Sequence, residues 1–266
     1  MSGPVAALVL AGRRRGEADP VARAAGVPVK VLAPLGGRPM LAHVLEALRA
    51  APVVARIAVV CDEPALLHGH PALAPLLEGE VTVLRGRASV VGSVQEGLDA
   101  LGLPLLVTTG DHPLLDPAAV GRFVEGAERR GADLAAAVVP RSVFTRRFPH
   151  NRRTWWRFRE DGYAGANLFL LRTPAARRLL DWWRGLETTR KRPWKVMAAL
   201  GPALLLGYLL RRLTLERAAA ILSARLGLAF GAVPLERAEL AVDVDRPDDL
   251  ALAAAILAAR RAEAAG

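Results

Sequence analysis

Cysteine is almost missing from this chain: Cys61, in "IAVVCDE", is the only one in 266 residues. A single thiol closes no internal disulfide and builds no cysteine metal cluster. Its setting reads as a buried strand end, and such sparing use fits a reducing, cytoplasmic compartment. Long hydrophobic runs are missing too. The most apolar stretch, Val196–Leu210, has about 15 residues and contains Gly201 and Pro202. A spanning helix needs roughly 20. The opening "VAALVLAG" carries its positive charges after the apolar run, the wrong order for an export signal. No GK[ST] follows a glycine-rich loop, which excludes a P-loop. There is no internal repeat, no clear linker, and no convincing Ser-His or Cys-His pair.

What remains is a globular composition, 52% hydrophobic and 23% charged. The length suits one sizeable α/β domain. The formal net charge is +10. Such a balance points to anionic partners: phosphorylated small molecules, nucleic acid or an anionic membrane surface. A general abundance of Ala, Leu and Arg accounts for the total equally well, so the placement of the arginines matters more than their number.

Short apolar runs alternate with helical patterns. Val5–Leu10, Ile57–Cys61, Val81–Leu84, Leu103–Thr108 and Leu134–Val139 read as buried strands. Pro39–Ala51, Ala65–Leu77, Val90–Leu101 and Pro117–Arg130 have helical spacing between them. This alternation predicts an α/β fold with a mostly parallel, doubly wound sheet. Ligands then bind beyond the carboxyl ends of the strands. A basic-aromatic segment, 141–163, interrupts the pattern, and "AGANLFLLRT" resumes strand character before a helix over Pro174–Leu186. A helical insertion is expected over about 187–230, with a helix over Thr214–Leu226 capped by Thr214. "AELAVDVDRPDDL" reads as a strand running into an acidic loop and a last helix. The expected organisation is a single domain over 1–266 with these additions.

Four strand ends carry candidate chemistry. At the first, Leu10, Ala11 and Gly12 turn the chain, and Arg13, Arg14 and Arg15 follow. Main-chain N–H groups and guanidinium groups at one spot can hold a polyphosphate. Arginine triplets are also ordinary solvated charge. Lys30 lies among apolar residues and either snorkels or reaches an anion. At the second, Gly110 and Asp111 follow a buried strand, and a carboxylate there suits a divalent cation. His112 reads as shaping that loop. At the third, Asp243 and Asp245 stand two apart, on one side if the segment is a strand. Asp248 and Asp249 read as first-turn helix acids. At the fourth, Arg85 and Arg87 precede a helix, and Ser89 or Ser93 serves as a cap or as a ligand contact.

The combination resembles the nucleotidyltransferase family that includes molybdenum cofactor guanylyltransferase and the polyol-phosphate cytidylyltransferases. The matching stretches are Leu8–Gly12, Arg13–Arg15, Lys30, "LGGRPML" at 35–41, Gly110–Pro113, "SVQEGL" at 93–98 and "DVDRPDDL" at 243–250. The resemblance implies a nucleotide-diphosphosugar transferase-like fold. It implies transfer of a nucleotidyl group from CTP or GTP to a phosphorylated acceptor, with release of pyrophosphate. Arg15 and Lys30 would be catalytic. Leu10, Ala11, Gly12, Arg13, Arg87, Ser93 and Gly110 would bind nucleotide. Asp111 and Asp245 would hold Mg²⁺. The acceptor would be a small phosphorylated molecule, or a lipid precursor if the region from Arg190 to Arg212 rests on a membrane surface. This opening loop is poorer in glycine than is usual in the family, so guanidinium contacts would replace some backbone ones.

Rival expectations differ at identifiable places. A nucleotide-sugar glycosyltransferase of related fold wants Asp-x-Asp at the middle strand, where this chain has "GDHP". A nucleic-acid-binding module would use Phe144, Phe148, Trp155, Trp156 and Phe158 among the arginines of 141–159. No specific nucleic acid is expected otherwise. The apolar stretch before Arg211 either packs on the sheet or a partner subunit, or rests on the inner membrane surface with its basic flanks.

Overall fold

The computed structural model describes residues 3–13, 19–79, 81–87, 89–151, 153–184 and 201–265. The chain divides into two compact units, one formed by Gly3–Gly121 with Val242–Gly266, the other by Arg122–Ala241.

In the first unit, β1 (Val5–Leu10), β4 (Val54–Cys61), β5 (Val81–Arg85) and β6 (Leu105–Thr109) form a parallel array in the order β6-β1-β4-β5. Central β1 pairs with β4 on one side and β6 on the other. Its residues Val5 to Val9 are all buried, as befits a strand covered on both faces. A hairpin of β2 (Pro34–Leu35) and β3 (Arg38–Pro39) turns through Gly36 and Gly37, both at positive φ.

Some helices of this unit begin at side-chain caps. In α1 (Pro20–Ala25), Asp19 Oδ1 accepts from Val21 and Ala22, and Gly26 closes the helix in the left-handed region. Helix α2 (Met40–Arg49) follows the hairpin. Ser89 caps α4 (Val90–Leu101) by accepting from Gly92. That settles Ser89 as a cap. The helix expected over Ala65–Leu77 is broken: α3 (Pro64–His68) stops, and only a 3₁₀ turn, Ala74–Leu76, follows. Pro71 and Pro75 remove the donors a continuous helix needs.

Helix α5 (Pro117–Arg129) leads across the unit boundary at Gly121. In the second unit, β7 (Leu134–Pro140) pairs antiparallel with β9 (Gly162–Leu171), and β10 (Phe230–Pro234) pairs parallel with β7. The short β8 (Trp156–Arg157) lies antiparallel on β9. Strand β10 has no counterpart among the sequence expectations. Its run "FGAVP" is too short to separate from the preceding helical pattern. Helix α6 (Arg141–Arg147) opens the basic-aromatic segment, and a 3₁₀ turn precedes α7 (Arg177–Arg184).

The aromatic residues of that segment are buried to different degrees, with Phe148, Trp155 and Trp156 half-buried. Phe144 and Phe158 are buried. Phe144 packs on Phe148 and Trp155 at ring distances of 5.3 and 5.4 Å. Phe158 joins Tyr163 and Leu213 in a core that also takes Tyr208 from α8 (Pro202–Leu209) and Ile221 and Leu222 from α9 (Leu215–Leu226). The two buried rings, Phe144 and Phe158, offer no stacking platform to a nucleic acid. Thr214 caps α9 as its sequence setting predicts, and Glu160 accepts from Leu215 beside it. Of the apolar stretch at Val196–Leu210, residues 196–200 lie outside the described residues. No described helix is long and apolar enough to cross a membrane.

The late acidic segment corrects an expectation. Residues 242–246 form no strand, and Ala238–Ala241 is a 3₁₀ turn. Alternation survives without the ladder: Val242 and Val244 are buried, and Asp245 is exposed. The last helix, α10 (Pro247–Ala265), then begins with Asp248 and Asp249 in its first turn.

Candidate functional site

The first unit gathers its charged groups where β1, β4 and β6 end. Gly110 N–H donates to Leu10 O at 2.9 Å, and Ala11 N–H to Val60 O at 2.8 Å. Gly110 is required by space. A Cβ there would stand 2.8 Å from Val31 Cγ1 and 3.4 Å from Ala11 Cβ. The loop bearing Asp111 can therefore lie close against the turn after β1 and against the segment that carries Lys30.

Lys30 opens a 3₁₀ turn, Lys30–Leu32. Its Nζ donates to Asp111 Oδ2 at 2.6 Å and to Asp245 Oδ1 at 3.0 Å. Asp19 Oδ2 stands 4.0 Å away. The late segment reaches this place because Val244 N–H donates to Asp111 O at 2.9 Å. Asp249 holds the turn by accepting from Arg246 at 3.0 Å. Burial pulls the Lys30 ammonium toward deprotonation. The charges and hydrogen bonds of Asp111 and then Asp245 outweigh that pull and hold its pKa above the ordinary 10.5.

A divalent cation fits the carboxylates on one specific ground. Asp111 Oδ1 is buried without a hydrogen-bond partner, a costly state for a carboxylate oxygen. Two carboxylates with room for phosphate oxygens and water match the hard, oxygen-rich coordination Mg²⁺ takes. Among the described residues no group of three or more His, Cys, Asp or Glu has metal-binding geometry, so the remaining ligands would come from substrate and solvent.

The opening loop is described only to Arg13, and Arg14 and Arg15 lie outside the described residues. Arg13 N–H donates to Asp62 Oδ2 at 2.5 Å, and its guanidinium pairs with Glu63. Both acids follow β4, and the run "CDE" at a strand's carboxyl end was the signal that could have found them. Arg87 and Ser93 meet each other: Arg87 N–H donates to Ser93 Oγ at 3.3 Å, and its guanidinium pairs with Glu96 at 2.6 Å. The sequence-predicted residues thus fall into three groups in the first unit: Lys30 with Asp111 and Asp245; Arg13 with Asp62 and Glu63; Arg87 with Ser93 and Glu96. His112 is fully buried below the Asp111 loop, consistent with a shaping role.

An α/β unit with a turn after its first strand, a lysine and two acids at the strand ends is the architecture of nucleotide-handling transferases. The comparisons with known proteins agree. Residues 7–202 match the MobA-like NTP transferase domain, and the chain belongs to that family. It is 31% identical over 261 residues, 97% of its length and 83% of the relative's, to 2-C-methyl-D-erythritol 4-phosphate cytidylyltransferase of Frankia casuarinae (strain DSM 45818 / CECT 9043 / HFP020203 / CcI3). The protein of that name from Cereibacter sphaeroides (strain KD131 / KCTC 12085) is 39% identical over 124 residues, 44% of this chain. The match spans about half that relative's length, 53%. Among solved structures, a hypothetical transferase from Thermus thermophilus is similar with a TM-score of 0.78 and 34% identity, covering 93% of this chain and 99% of the other. A CMP:2-keto-3-deoxy-manno-octonic acid synthetase complexed with CTP shares the fold, with a TM-score of 0.61 at 16% identity, covering 97% and 100%.

Proposed function

We propose that this chain is an Mg²⁺-dependent nucleotidyltransferase that joins the nucleotidyl group of CTP, or of GTP, to a phosphorylated acceptor. The observation that carries the reading is Lys30 set between Asp111 and Asp245 at the strand ends. The names of the similar cytidylyltransferases favour CTP and a polyol phosphate.

In the transfer, an oxygen of the acceptor phosphate attacks the α-phosphorus of the triphosphate. A new P–O bond forms as the bond to the oxygen bridging the α- and β-phosphorus breaks, and pyrophosphate leaves. Two anions must meet, so catalysis is charge neutralisation and in-line positioning. Leu10, Ala11, Gly12, Arg13 and Gly110 line the approach of the triphosphate. Lys30 and Arg15 balance the charge that grows on the leaving pyrophosphate. Asp111 and Asp245 would hold Mg²⁺, which when bound neutralises phosphate oxygens. Arg87 and Ser93, at the start of α4, would bind the nucleoside. No side-chain nucleophile is needed.

A lipid precursor is the second acceptor class in this reading. Leu206, Leu209 and Leu210 are exposed hydrophobics followed by exposed Arg211 and Arg212. A patch of that kind suits an anionic membrane surface, where each basic residue adds roughly 1 kcal/mol. Flotation with anionic and neutral vesicles tests it: no binding to anionic vesicles at low salt removes the membrane contact alone.

The test of the main reading is a screen of the four nucleoside triphosphates with Mg²⁺, by thermal shift and by pyrophosphate release. 2-C-methyl-D-erythritol 4-phosphate is the first acceptor. CTP is expected to raise the melting temperature most, since a ligand bound only by the folded state stabilises it. If no triphosphate shifts melting or yields pyrophosphate, and a nucleotide sugar does shift it, the glycosyltransferase rival takes its place.

A further inference from the structure

A lysine meant only for phosphates would gain by standing free of carboxylates. Lys30 does the opposite. Its ammonium sits 2.6 Å from Asp111 Oδ2, 3.0 Å from Asp245 Oδ1 and 4.0 Å from Asp19 Oδ2. The Lys30 and Asp111 side chains are only 17% and 18% exposed, so water screens this pair poorly. The two carboxylates that would hold a divalent cation therefore already have a cation of their own.

The two cations exclude each other on simple grounds. Mg²⁺ binds carboxylate oxygen at about 2.1 Å. An ammonium hydrogen-bonded to the other oxygen of the same carboxylate, as Lys30 is to Asp111 Oδ2, would then lie within a few ångströms of the ion, and like charges at that range in a half-buried site repel strongly. Removing the ammonium without replacing it is also unfavourable, because Asp111 and Asp245 would then repel each other across a small gap. Exchange becomes favourable only when another anion takes the ammonium as the metal arrives. The triphosphate is such an anion.

We propose that Lys30 is a resident counter-ion that competes with the divalent cation for Asp111 and Asp245, and that it leaves them for the triphosphate only when metal and nucleotide enter together. This rests on the reading of Asp111 and Asp245 as the metal-holding pair. Its consequence is order: nucleotide-free protein binds divalent cations weakly, and metal reaches the site as the metal–nucleotide complex. Lys30 then has two partners in one cycle, carboxylates before loading and phosphates after.

Mn²⁺ titration of the nucleotide-free protein, with free Mn²⁺ read by electron paramagnetic resonance, tests the inference without turnover. Lys30→Met should bind Mn²⁺ at least roughly tenfold more tightly than wild type, about 1.4 kcal/mol. Asp111→Asn placed on top of it should abolish the gain. Lys30→Gln, which keeps an amide donor toward Asp111 but no charge, should show the same direction, and a melting curve for each variant certifies its fold. Mn²⁺ binding in folded Lys30→Met or Lys30→Gln that is no tighter than wild type, yet still lost on Asp111→Asn, overturns the counter-ion role and leaves the metal reading intact. Mn²⁺ binding that ignores Asp111→Asn even with CTP present overturns both.

Discussion

Lys30 and Asp111 are 81 positions apart in the chain and 2.6 Å apart in the folded protein, joined by a hydrogen-bonded ion pair. Asp245, a further 134 residues on, closes on the same ammonium at 3.0 Å. The site depends on three distant segments meeting at one point, and its charges respond accordingly.

Asp111→Asn keeps the side chain's shape and removes its charge. Turnover should fall by roughly a hundredfold or more, which is about 2.7 kcal/mol of transition-state stabilisation. Circular dichroism should be unchanged. Asp243→Asn should leave turnover near wild type, because Asp245 is the late acid paired with Lys30. Pyrophosphate release measures both, and full activity in Asp111→Asn would remove that residue from the site.

Gly110→Ala places a methyl group 2.8 Å from Val31 Cγ1, beside Lys30. The loop must move, at a typical overpacking cost of about 1–3 kcal/mol. Both melting temperature and nucleotide affinity should drop. A variant with wild-type stability and wild-type CTP affinity would show that the contact is not tight.

Gly97 offers a case where local preference and packing disagree. In an exposed helix, Gly→Ala stabilises by about 1 kcal/mol. In α4 the new Cβ would lie 2.7 Å from Cδ1 of fully buried Leu8 in β1. Gly97→Ala should therefore destabilise by about 1–3 kcal/mol in urea unfolding. Adding Leu8→Ala should make Gly97→Ala less harmful than it is alone. Stabilisation by the single change would mean α4 stands farther from β1 than described.

Burial pushes the Cys61 thiol up to about 11 from an ordinary 9.0, with the charges of Asp62 and Glu63 adding to the rise. Only the thiolate alkylates readily, so native protein at pH 8 should resist iodoacetamide and unfolded protein should react. The unfolded chain releases this proton near pH 9 and the folded one does not. Stability should therefore fall as pH rises from 9 toward 11. Lys30 adds in the same direction: its raised pKa gives stability that is complete below 10.5 and lost as pH climbs through the folded value. Rapid native alkylation at pH 8 would contradict the burial of Cys61.

Much of the first unit was legible locally. The predicted bounds of β1 and α4 are those observed, because a continuous apolar run and a 3.6-residue period are properties of neighbouring residues. The predicted strand ends at Leu10 and Thr108 pointed to Gly12, Gly110 and Asp111 for the same reason. The sequence alone does not show that Asp62 accepts from Arg13. That partner is set by β1 and β4 lying side by side.

By itself, then, the sequence determined the alternation of strand and helix, the caps at Ser89 and Thr214, and the places where charge follows a buried strand. Each depends on interactions spanning a few residues. Only the tertiary structure decided that β9 runs antiparallel to β7, that "FGAVP" is a strand, that 242–246 is not one, and that Lys30 stands between Asp111 and Asp245. Strand pairing and ion pairing join segments distant in the chain, and their free energy depends on the geometry of the whole fold, which no local run of residues carries.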